Sequence, residues 1–172
     1  MRGFMKTEAI VIGTDSLARL TEVDLPPITN TRVRVQTLIS GISCGTEGDC
    51  TSGRAAYIKR PFITGYQAVG KVIELGEKVD HLQLGDLVVT NGGGLWNMPN
   101  LAGGSHALES VSEASSLVKL NHPDTTSLAT ASYGVLGAVG WEGIARMKLE
   151  PGNVLLVFGL GMLGQLAGRV AQ

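Results

Sequence analysis

Cysteine is almost absent: Cys44 and Cys50 are the two thiols among 172 residues. Lying in one Gly-rich, acidic segment, they make neither a disulfide framework nor a complete metal site, and a bond between them is not expected. Aromatics are only 5% and charged residues 17% of the chain, with a formal net charge of -1. No basic face is therefore expected for nucleic-acid phosphates or an anionic membrane. No apolar run approaches the roughly 20 residues of a membrane span. The first residues, Met1-Arg2-Gly3-Phe4-Met5-Lys6, lack the apolar stretch of a signal peptide. A cytoplasmic globular protein with one full domain and part of another is the expectation, since this length is short for two domains of usual size.

What the chain does have is glycine, 24 residues of it. The most informative cluster follows the apolar run Val154-Leu155-Leu156-Val157-Phe158 and reads Gly159-Leu160-Gly161-Met162-Leu163-Gly164. A strand feeding G-x-G-x-x-G and then a helix is the pattern of a dinucleotide site. There the first glycine permits a tight turn, the second admits a pyrophosphate, and the third lets helix and strand pack closely. Amides at the helix start would face the anion. The cofactor-binding candidates are thus Gly159, Gly161, Met162, Leu163 and Gly164. The alternative is a tight strand-to-helix turn with no ligand.

The first half reads as short strands over Glu8–Ile12, Arg32–Ser40, Ala68–Gly76 and Leu87–Thr90, separated by Pro, Gly and Asn turns. A small barrel or sandwich suits such a run. From 125 onward the texture becomes that of one or two helices, with Asp124 or Thr125 as cap, so the domains are predicted as 1–124 and 125–172. Gly92 to Gly104 reads as a surface loop that could cover a site.

Taken together, Ile39-Ser40-Gly41-Ile42-Ser43-Cys44-Gly45-Thr46-Glu47, Gly65-Tyr66-Gln67-Ala68-Val69-Gly70-Lys71-Val72, Val79 through Val88, Gly103-Gly104-Ser105-His106-Ala107, Leu117-Val118-Lys119-Leu120 and the final glycine turn resemble the first half of a medium-chain dehydrogenase/reductase. The resemblance covers nearly the whole chain. It implies a mainly β fold, with a GroES-like β-barrel followed by the beginning of a Rossmann domain that stops after its first strand and glycine turn. It also implies NAD or NADP as cofactor, a small-molecule substrate and a homodimer. On this reading the 172 residues alone should not turn over.

Zinc-dependent members of that family place a thiol in a Cys-x-Thr/Ser-Asp-like segment and a His-Glu pair further on. Here Cys44-Gly45-Thr46-Glu47 keeps the thiol and hydroxyl, whereas the His-Glu pair is Tyr66-Gln67. A phenol and an amide are poor zinc ligands. Gly92 to Pro99 holds none of the cysteines of the family's structural-zinc lobe, so neither zinc is expected and the zinc-free branch is the nearer resemblance. His106, Cys50 and Glu47 show no ligand spacing for an unorthodox site.

By that resemblance the catalytic candidates are Thr46, Tyr66 and Cys44. Thr46 would hydrogen-bond and help protonate a carbonyl; its plain alternative is a turn hydroxyl satisfying the backbone. Tyr66 would donate to a developing alkoxide, or it simply fills space left by the metal. Cys44 has no basic neighbour and reads better as a small buried or half-buried side chain. His106 reads as a positioned structural imidazole, and Lys59-Arg60 as a solvated charge pair. The leading expectation is a zinc-independent NAD(P)-dependent oxidoreductase acting on a carbonyl, alcohol or activated alkene. A GroES-like assembly module whose sheet is completed by a partner is the competing one, and a metal-dependent alcohol dehydrogenase is third.

Overall fold

The computed structural model describes residues 5–91, 96, 103–121 and 127–172. Two compact units are present, Met1–Ser132 and Tyr133–Gln172. The mainly β first unit contains β1 (Lys6–Ile12), β2 (Ala18–Asp24), β3 (Arg32–Ser40), α1 (Cys44–Ser52), β4 (Phe62–Ile63), β5 (Gln67–Leu75), β6 (Leu87–Asn91), β7 (Glu109–Glu113), a 3-10 turn over Ala114–Ser116, β8 (Leu117–Lys119) and α2 (Leu128–Ala131). Two antiparallel sheets result, ordered β2-β1-β4 and β7-β3-β5-β6-β8.

Alternation explains the sheets. In β1 the residues Thr7, Ala9 and Val11 turn inward and in β3 Val33 and Val35 do, as a period of two requires. One core cluster gathers Ala9, Val11, Leu25, Ile63, Trp96, Ala107 and Val111; a second gathers Val33, Val35, Val72, Leu82, Val88, Ala114 and Leu117. Strands β3 and β5 pair through two register irregularities, between Arg34/Val35 and between Thr37/Ile39, and Gly70, opposite Thr37, lies at the second. A Cβ on Gly70 would stand 2.6 Å from the Gln36 carbonyl oxygen and strike the Val35 side chain. Glycine here is what allows the two backbones to meet.

The four strands expected from periodicity are β1, β3, β5 and β6. Strands β2, β7 and β8 escape such a reading because their patterns are polar or short: Ala18–Asp24 is almost wholly exposed, and Glu109–Glu113 buries two serines beside one valine. Helix α1 is not marked by periodicity, having a weakly apolar sequence with two glycines inside it. Arg60, expected to be solvated, is half-buried: its Nη2 donates to the Thr51 carbonyl at 2.6 Å and to that of Cys50 at 3.4 Å, occupying the C-terminal end of α1. Lys59 stays exposed. The helix caps at Asp124 and Thr125 and most of the Gly92–Gly104 loop lie outside the described residues.

In the second unit α3 (Gly134–Arg146) packs on α4 (Met162–Val170), with Gly140 buried so that a Cβ there would be 3.3 Å from the Ala167 nitrogen. Residues 154–158 correct an expectation: no strand pairing forms there. A β-strand needs a hydrogen-bonding neighbour, and among the described residues none is supplied. The segment consequently exposes Val154 (93%), Leu156 (72%) and Phe158 (89%).

Gly70→Ala should lower the urea midpoint at unchanged m-value, by the equivalent of about 1–3 kcal/mol of overpacking. The apolar row should make the isolated 172-residue chain self-associate. Light scattering against concentration checks this, and a double change Leu156→Lys, Phe158→Lys should suppress the association.

Candidate active site

The site is assembled around one carboxylate. Helix α1 starts after Ser43, which is extended and contributes no side-chain cap. Glu47, one turn in, folds back instead, and its Oε1 accepts the Ser43 N–H at 2.7 Å. This resembles a capping box and puts negative charge beside unsatisfied amides at a helix N-terminus. The other oxygen, Oε2, accepts from Thr64 Oγ1 at 2.9 Å and lies 2.9 Å from His106 Nε2.

His106 is held by its backbone before its ring does anything. Its N–H donates to the Thr64 carbonyl at 3.0 Å and its own carbonyl accepts from Ile10 at 2.8 Å, while neighbouring Ala107 bridges Ala9. The ring lies over Gly65, where a Cβ would be 2.8 Å from it. Gly65 has φ +87, so glycine is needed both for the turn and for the imidazole. On the far side of the ring, Nδ1 is 2.8 Å from Ser40 Oγ at the end of β3. The His106 and Glu47 side chains are only 11% and 10% exposed.

Burial works against ionisation of Glu47 as the largest single influence. The hydrogen bonds from His106, Ser43 and Thr64 and the attraction of His106 together outweigh it and hold the carboxyl below the usual glutamate range. An ionised carboxylate only accepts, so in the neutral ring Nε2 carries the proton and Nδ1 is left to accept from the Ser40 hydroxyl, an assignment made from the network. The arrangement is a buried acid, an imidazole and a hydroxyl in series. A cavity of about 360 Å³ beside the pair is bordered by Ile12, Ile42, Cys44, Thr51, Thr64 and His106 among others.

The sequence candidates are distributed differently from expectation. Cys44 lies on the Glu47–His106 cavity and is exposed, correcting its reading as a buried or half-buried side chain. As the first residue of α1 it precedes the turn whose packing buries Cys50. Thr46, two residues further along a helix, faces a separate recess with Asp49, Arg54, Ala55 and Tyr57. Positions i and i+2 do not share a helix face. Tyr66 is half-buried with no side-chain hydrogen bond among the described residues. Gln67 is fully buried and neither of its amide atoms has a partner. Among the described residues no group of three or more His, Cys, Asp or Glu is placed to hold a metal ion.

At the glycine turn of the second unit, Gly159 has φ +93, Gly161 caps α4 and Met162 opens it. A Cβ on Gly164 would collide with the Gly159 carbonyl oxygen, so the third glycine is a packing requirement. The first intrahelical amide to find a partner is that of Gln165, on the Gly161 carbonyl at 3.0 Å. The Met162, Leu163 and Gly164 amides belong to the first turn that a helix leaves unpaired.

Residues 29–138 match the alcohol dehydrogenase GroES-like domain. The chain belongs to that family. It is therefore a member of the medium-chain alcohol dehydrogenase superfamily. It is 25% identical to sorbitol dehydrogenase of Bacillus subtilis, over 96% of this chain and 52% of that protein. It is 29% identical to D-xylulose reductase of Saccharomyces cerevisiae, again over 96% and 52%. The fold matches a cinnamyl alcohol dehydrogenase of Sorghum bicolor with a TM-score of 0.84 at 19% identity, covering 97% of this chain and 55% of that one. The chain spans about half the length of the curated relatives it matches.

The Glu47–His106 dyad is the contact that sequence reasoning passed over. Glu47 and His106 were each in view, and the missing signal was a contact between residues 59 apart. Two tests follow. With its carboxyl depressed, Glu47 is ionised in the folded state where the unfolded chain already binds a proton. Its stabilisation is therefore complete above the ordinary glutamate value of 4.5 and lost as pH falls through the lower folded value. Glu47→Gln should cost about 1–3 kcal/mol at neutral pH and flatten the acid limb of urea midpoints measured from neutral pH downward. In the native protein iodoacetamide should modify Cys44 and spare Cys50, whose thiol is pushed up by burial and by the Asp49 and Glu47 charges; peptide mass mapping before and after unfolding reads this out.

Proposed function

We propose that the chain serves in an NAD(P)-dependent, zinc-independent oxidoreductase that interconverts alcohols and carbonyls or reduces activated alkenes. The observation that carries the cofactor half is the glycine turn. The left-handed Gly159, the capping Gly161 and the Gly164 contact leave an open cradle at the start of α4, where side chains would obstruct a pyrophosphate. The residues fit the group. When bound, the nicotinamide would supply or accept hydride, and the role of Met162, Leu163 and Gly164 is to present amides to its diphosphate. The family relatives named as dehydrogenases and reductases support the reaction class.

The zinc half rests on donors. Cys44 is one thiol, Tyr66 a phenol, Gln67 an amide, and both ring nitrogens of His106 are already engaged. That set does not suit a tetrahedral zinc centre. Within the zinc-free reading, Tyr66 is the hydroxyl that would hydrogen-bond a substrate oxygen and Cys44 would border the substrate; Thr46, in its separate recess, would join them only if α1 shifted on binding. The protein would work as a homodimer. A second reading, a partner-completed assembly module, draws on the apolar row Val154, Leu156 and Phe158.

The deciding experiment uses the native protein isolated from its source. Saturable NADH or NADPH fluorescence enhancement, abolished by Gly164→Val, is expected, together with turnover of at least one class among polyols, ketones, aldehydes and enones that dipicolinate does not inhibit. Absence of nucleotide binding would overturn the oxidoreductase reading in favour of the assembly module. About one zinc per chain by elemental analysis would overturn zinc independence alone.

A further inference from the structure

The Ser40–His106–Glu47 series has a chemical use that hydride transfer does not require. Three conditions for an activated serine coincide. The nucleophile touches the base, with Ser40 Oγ 2.8 Å from His106 Nδ1. The base touches a fixed acid, with Nε2 2.9 Å from Glu47 Oε2. The acid is itself immobilised, by Thr64 on the shared oxygen and by the Ser43 amide on the other. Such series are recognised by geometry and role, on unrelated folds and in any chain order.

Ser40 and His106 also border a cavity of about 510 Å³ whose wall is largely apolar, with Leu38, Ile39, Ile42 and Leu108 contributing. The Ile42 N–H, two residues from Ser40 on a residue that also lines this cavity, makes no hydrogen bond among the described residues and is free to donate to a developing oxyanion. We propose that Ser40 is a base-activated nucleophile that accepts the acyl group of a small ester with an apolar acyl chain.

The steps balance. Ser40 Oγ bonds to the ester carbonyl carbon while its proton passes to His106 Nδ1, and Glu47 holds the Nε2 proton against the imidazolium that forms. The bond from that carbon to the alcohol oxygen then breaks, and the proton on Nδ1 goes to the departing alkoxide. Water repeats the sequence on the Ser40 ester, giving the carboxylic acid and free Ser40. No oxidant or reductant takes part, so the inference stands or falls apart from the cofactor reading. Ser40 is the catalytic residue, His106 the base, and Glu47 a positioning residue.

The test uses the 172-residue chain with two probes, a fluorophosphonate and p-nitrophenyl butyrate. Peptide mapping should find the phosphonate on Ser40, and saturable release of p-nitrophenol should accompany it. Ser40→Ala, which removes one oxygen, should abolish labelling and lower kcat about 10²-fold or more. Glu47→Gln should lower kcat with KM little changed, and Glu47→Asp should restore part of it, a pattern that loss of folding would not give. Thermal melts confirm that each variant is folded. A folded wild-type chain unlabelled at Ser40, or ester hydrolysis unaltered in Ser40→Ala, overturns the proposal.

Discussion

A carboxylate with very little access to water organises the first unit. Removing Glu47 from solvent is costly, and the structure offsets that cost by giving both oxygens partners from separate parts of the chain: Ser43 before α1, Thr64 after β4 and His106 ahead of β7. Because those donors must converge, α1 is fixed against the β2-β1-β4 sheet through a polar contact. The neighbouring apolar contacts of Ile12, Cys50 and Phe62 complete the attachment. Gly65 then becomes obligatory, since a side chain there would displace the imidazole.

The same carboxylate decides what the site can be. A zinc centre needs soft or basic donors with free lone pairs, whereas here the one imidazole at the site is occupied at both ring nitrogens and the positions after Gly65 carry a phenol and an amide. The proposal of zinc-free chemistry follows from that occupation as well as from substitution. Gln67 shows the reverse condition, a buried amide with no partner, and it is the least satisfied polar side chain in the strand that leads away from the site. Hydrogen-bonding capacity has been concentrated on Glu47 and left unused one strand away.

Legibility varied with the range of the interactions concerned. Strands β1, β3, β5 and β6 were readable because their alternation or β-branched runs reflect burial directly. The glycine turn was readable as well: its conformations depend on near neighbours, and Gly159, Gly161 and Gly164 adopt the local geometry the motif implies. Helix α1 was not readable. Cys44–Ser52 lacks an apolar stripe, and it is held by the Glu47 network, whose His106 partner is 59 residues away, and by Arg60 at its far end, neither of which a helical periodicity reports. The consequence for the candidates was large, because a helix separates Cys44 from Thr46 where a turn could have joined them.

The sequence by itself determined the family, the β-rich first unit and the glycine turn, because periodicity, turn chemistry and motif spacing act over a few residues. Tertiary structure decided two things that no local pattern contains. One is that the run Val154–Phe158 stays unpaired among the described residues, since a strand exists only with a neighbour. The other is that Ser40, Glu47, Thr64 and His106 share hydrogen bonds, since the cost of burying a charge is met only by whichever distant groups the fold delivers to it.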